Sequence, residues 1–91
     1  MRDDVSYPLV VVKWVDSYGC GSQWGEIPDS EPGAHYCYSV GWLVRESVDA
    51  ILLVPHISPN NDSIGSVEHG CGDMVIPRSA IREMDAVAPT R

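Results

Sequence analysis

Phenylalanine is absent from this chain, and only six lysines and arginines stand against thirteen aspartates and glutamates. The resulting net charge of −7 excludes a general binder of duplex DNA or long RNA, which depends on a basic surface to neutralise phosphates. A local pocket built on two or three arginines stays open. No apolar run reaches the ~18–20 residues needed to span a bilayer. The start, Met1-Arg2-Asp3-Asp4, has acid where a signal peptide carries Lys or Arg, so a cytoplasmic protein is expected. Three cysteines, Cys20, Cys37 and Cys71, make an odd set, read as reduced thiols in that compartment. No amphipathic helix of ten residues, no internal repeat and no recognised catalytic motif is legible, so no enzyme is expected.

What is there is organised around residues 39–55, SVGWLVRESVDAILLVP. An alternating first half, a short polar link at Glu46-Ser47-Val48-Asp49 and a continuous apolar run at 50–54 read as a β-hairpin. The unbroken second run suits a strand covered on both faces or curled into a barrel. Residues 9–15, LVVVKWV, form another strand, with Lys13 its only charge. Glycine and proline break 16–34 into a long connection, and 56–72 is a second loop rich in Asn, Asp, Ser and Gly, with Ile64 and Val67 as anchors. Strand character returns at 73–77, a one-turn 3-10 helix fits 78–80, and 81–87 makes the last strand. The expected fold is all-β: one domain over 1–91, a small five-stranded SH3-like or Sm-like barrel with long loops, frayed at 1–8 and 88–91. Exposed strand edges and a small core favour a homo-oligomer.

The segment IPRSAIREM, residues 76–84, resembles the end of an Sm-like barrel of the bacterial RNA-chaperone type. Such RNA binders begin with a helix and carry basic rims, and this chain has neither. VKWVDS near the start, SVGWLV in the middle and GDMVIPRSAI near the end are similar in style to a group of small bacteriophage proteins. That resemblance implies an anti-defence role in the host bacterial cytoplasm, sequestering a nucleotide-type immune signal.

For such a ligand, Trp24 and Tyr18, in a glycine-rich loop, offer stacking faces with polar edges. Arg78, Arg82 and Ser79 are the phosphate donors, since a guanidinium grips two oxygens at once. Asp73 or Asn61 would read ribose or base edges. The competing assignment for the arginines is surface pairing with Glu83 or Asp85. Trp14 and Trp42, inside apolar strands, are assigned to the core. Repeated GCG tripeptides at 19–21 and 70–72 expose backbone N–H groups to an anion or simply make turns.

Two His-x-Cys steps, His35-Tyr36-Cys37 and His69-Gly70-Cys71, place imidazole and thiol on one side of a strand. Brought together they would make a tetrahedral zinc site, though their spacing is not that of a finger or ribbon. Three functions follow: a non-catalytic nucleotide-sequestering protein, an acidic module that docks on a basic host protein, or a zinc-stabilised structural domain. No cofactor and no membrane partner is expected.

Overall fold

A computed structural model describes residues 5–18, 24–29, 32–58 and 68–87. Among them the chain is all-β, and each of the five expected strands is present. These are β1 (Leu9–Asp16), β2 (His35–Glu46), β3 (Ala50–Val54), β6 (Met74–Pro77) and β7 (Ile81–Ala86). They form one antiparallel sheet in the order β6-β3-β2-β1-β7. The 3-10 turn Arg78–Ala80 joins β6 to β7, and a second, Ile27–Asp29, lies in the connection from β1 to β2. The loop expected over 56–72 instead begins and ends in a two-stranded ribbon, β4 (His56–Ser58) with β5 (His69–Cys71). No described helix is long and apolar enough to cross a membrane.

The sheet cannot be flat. Its edges, β6 and β7, would lie about 19 Å apart across four strand spacings of about 4.8 Å. Yet only three residues in a 3-10 turn separate Pro77 from Ile81, which span about 8 Å at roughly 2 Å per residue. The sheet therefore curls enough to bring the end of β6 near the start of β7. Register shifts at Lys13/Trp14 in β1 and Leu43/Arg45 in β2 supply the local bends that β-bulges produce.

Curling gives the sheet a concave face, and alternation decides which residues enter it. Val10 and Val12 of β1, Ile51 and Leu53 of β3 and Ile76 of β6 are buried together. Trp14, Leu43, Met74, Ala80 and Ile81 pack around them. Trp14 thus joins the core as expected, with its indole Nε1–H donating to Ser39 Oγ at 3.0 Å. Trp42 does not. It pairs with Leu9, one residue out of phase with Val10, and so stands on the convex face.

The β2–β3 hairpin closes through Ser47, whose Oγ accepts from the Asp49 and Ala50 amides at 3.2 and 3.1 Å. A short polar side chain bonding the backbone two and three residues on is what makes this link a turn. Arg78 then ties the 3-10 turn to the hairpin. Its amide donates to Asp49 O at 2.8 Å, its Nε to Ser47 O at 2.8 Å, and its Nη2 to Glu46 Oε1 at 2.7 Å.

Candidate functional site

The ribbon is what shapes the convex face into a cleft. Gly72 adopts φ +82, a left-handed conformation that glycine enters without strain, and it reverses the chain between β5 and β6. Gly70 lies so close to β3 that a Cβ there would sit 2.8 Å from Val54 Cγ1. The ribbon can rest on the sheet only because residue 70 has no side chain. At the far wall, Tyr7 reaches across from the lead into β1 and its hydroxyl donates to Glu68 Oε1 at 3.3 Å.

Between these walls lies a cleft of about 160 Å³. Its floor is apolar, from Val44, Leu52, Val54 and Ile57, and Tyr7, Glu68, His69 and Asp73 bring polar groups to it. Ligand pockets for drug-sized molecules run to roughly 300–1,000 Å³, so this one suits a single side chain or a fragment rather than a whole nucleotide. Of its polar residues, sequence reasoning singled out Asp73 as a ligand residue and His69 only as part of a zinc alternative. Tyr7 belongs to a polar lead, and Glu68 and His69 to a segment read as loop. The local signals are an aromatic immediately before Pro8 and the pairing of acids with GCG at 68–73.

The remaining sequence-predicted residues fall elsewhere. Tyr18 lies just past the last β1–β2 rung, Asp16 opposite His35, and donates its hydroxyl to Gly33 O at 3.1 Å. Its ring stands 5.2 Å from the His35 ring at an interplanar angle of 54°. Trp24 is fully exposed. Arg78 is engaged at the hairpin as described, and Arg82 Nη1 donates to the carbonyls of Ser79 and Ile81 at 2.9 and 3.4 Å. The residue that pairs with Glu83 is Lys13, at 3.8 Å. Asp73, at the other end of β6 from Arg78, is about 16 Å from it at roughly 3.3 Å per strand residue. The proposed ligand residues that are described thus do not meet in one site: Asp73 stands apart from Arg78, Ser79 and Arg82, and Tyr18 lies past the end of β1, while Asn61 lies outside the described residues. So do Cys20, Ile64, Val67, the GCG at 19–21 and the extreme ends.

The two His-x-Cys steps are on separate elements, β2 of the main sheet and β5 of the ribbon. Among the described residues no group of three His, Cys, Asp or Glu side chains converges to hold a metal. A pairing that the sequence does not display is His56 directly opposite Cys71 in the ribbon.

A third feature of the surface is an aromatic stripe. Tyr36, Tyr38 and Val40 alternate along the convex face of β2 and are 49%, 67% and 56% exposed. Lys13, on the neighbouring strand, lies 4.7 Å from the Tyr36 ring centroid and 6.0 Å from that of Tyr38. Its ammonium is thus held between two rings and the Glu83 carboxylate.

No protein-family model, curated protein or solved structure matches the chain.

The Arg78 clip makes a direct prediction. Arg78→Ala removes one charged pair and one bond to a carbonyl, all at a half-exposed site, so the loss is about 1 kcal/mol or less. In a domain of this size that is a drop in melting temperature of about 4–8 °C for each kcal/mol. Arg78→Lys restores only part of it, because an ammonium cannot hold Glu46 and Ser47 through a fixed fork. A melt identical to wild type for both variants would contradict the clip.

Proposed function

We propose that this protein is a non-catalytic, acidic interaction module that docks on a basic partner protein. The observation that carries this reading is where the charges are spent. Arg78 and Arg82, the cations singled out for a phosphate, already donate to acceptors of the protein itself, and Lys13 is ion-paired with Glu83, which among the described residues leaves Arg45, exposed on β2, apart from them. No charged side chain is buried among the described residues, so the carboxylates face outward. A phosphate would have to displace internal partners, whereas a cationic surface meets acids ready to pair, with a favourable field that speeds encounter. The exposed tyrosines support the same reading, since Tyr is enriched where proteins meet.

The proposal extends to the fold and its setting. The curled sheet is taken as a small SH3-like or Sm-like barrel, and its unpaired edges β6 and β7 as seams along which copies assemble in a homo-oligomer. We extend the docking reading to an anti-defence role in the cytoplasm of an infected bacterium, by inhibition of a host protein.

A second reading, sequestration of a nucleotide-type signal, is favoured by the fully exposed ring of Trp24 and by the Tyr18–His35 ring contact at the end of β1. It requires Arg78 and Arg82 to exchange their present partners for phosphate. Thermal melting separates the two. An arginine-rich octapeptide at a hundred times its dissociation constant should add about 2.7 kcal/mol of stability. Cyclic dinucleotides, cyclic trinucleotides and cyclic ADP-ribose isomers should leave the melt unmoved. The reverse pattern would replace the first reading with the second.

A further inference from the structure

We infer that the cleft between the β4–β5 ribbon and the convex face of β3 is a socket for one arginine or lysine side chain of the partner. This inference rests on the docking reading above and names its anchor point. Three observations converge on that chemistry. The first is shape: about 160 Å³ accommodates one long side chain and little more. The second is the floor, where Val44, Leu52 and Val54 offer an apolar bed for a three- or four-carbon stem. The third is the polar lining, in which Glu68 and Asp73 supply two carboxylates for a cationic head.

The socket is also held in shape before anything enters it. Tyr7 donates to one Glu68 oxygen, which fixes that carboxylate, and its second oxygen has no hydrogen-bond partner among the described residues. Gly70 against Val54 sets the height of the ribbon above the floor. Val54 itself is 4% exposed and part of a buried strand, so the floor is rigid. Preorganisation of this kind reduces the ordering cost of binding. A carboxylate ligand would face two acids at the same place, and a neutral apolar group would leave them unused. The cleft therefore discriminates by charge at its polar lining and by length at its floor.

The test is a ¹H–¹⁵N NMR titration of the full chain at 0.15 M salt with N-acetyl-arginine methylamide. N-acetyl-citrulline methylamide serves as the neutral isostere. Arginine should move the amides of Leu52, Val54, Ile57 and residues 68–73 in a saturable way, and citrulline should bind at least tenfold more weakly. Asp73→Asn and Glu68→Gln should each weaken arginine at least fivefold. The glutamine keeps an oxygen to accept from Tyr7, so the wall stays in place. Equal binding of citrulline, or unchanged affinity in both variants with intact spectra, would overturn the socket. Shifts from an arginine-rich octapeptide that avoid the cleft would overturn it while leaving docking on a basic partner standing. An octapeptide that moves no resonance at all would overturn both.

Discussion

Ile51→Ala is expected to cost about 2–5 kcal/mol, the range for removing a buried aliphatic side chain from a core that relaxes only in part. Ile51 is 1% exposed and sits in β3, the strand flanked by β2 and β6, where the concave faces of three strands meet. A domain of this length has roughly 5–14 kcal/mol of total stability, so this one change removes a large share of it. In a thermal melt the midpoint should fall by more than about 10 °C. Val48→Ala, at the 87% exposed tip of the adjoining turn, should change stability by no more than about 0.5 kcal/mol. Equal effects at the two positions would mean that the alternation along β3 points the other way.

Gly70→Val should be the next most damaging change, and for the opposite reason. The new side chain must occupy space that Val54 Cγ1 already fills, with the ribbon resting directly on it. Val54 is β-branched, so its χ1 cannot swing aside cheaply. Overpacking of this kind costs about 1–3 kcal/mol and should lift the ribbon from the sheet. The signature is recovery by a second substitution: Val54→Ala destabilises alone but should relieve Gly70→Val, with a coupling of about 1 kcal/mol in a double-mutant cycle. Strict additivity would show that the two residues do not touch in solution. The same lifting should abolish any arginine-induced shifts in the cleft, which links the packing of the ribbon to its proposed use.

Much of the main sheet was legible because its information is local. The β-branched run at 9–15, the unbroken apolar run at 50–54 and the polar link at 46–49 each specify strand or turn within a few residues. Pro77 followed by Arg-Ser-Ala marks the one-turn helix in the same way. The ribbon was not legible. Its strands are three residues each, and HIS and HGC carry neither alternation nor β-branched bulk enough to stand out from a loop. The site was harder still, because its defining contacts are distant in sequence. Tyr7 and Glu68 are 61 residues apart, and Arg78 reaches Glu46 across 32. From sequence, Arg78 is a free cation beside a serine. In the fold it is a clip on a hairpin, since the 3-10 turn returns the chain to the turn that β2 and β3 make. Trp42 illustrates the remaining limit. Its strand alternates Val40, Trp42 and Val44 against Ser39, Gly41 and Arg45, so the pattern pointed to the more apolar face as core, whereas Gly41 and Ser39 are the residues that face Val10 and Val12.

Calorimetric titration of wild type and Arg82→Ala, each with an arginine-rich octapeptide and with a cyclic dinucleotide, tests the central claim most directly. If the protein docks on basic partners, the octapeptide binds both proteins with undiminished affinity, because removing Arg82 only makes an acidic surface more acidic, and the dinucleotide gives no heat. Dinucleotide binding to wild type that disappears in Arg82→Ala, with no response to the octapeptide, would contradict the account and establish a phosphate site at the start of β7.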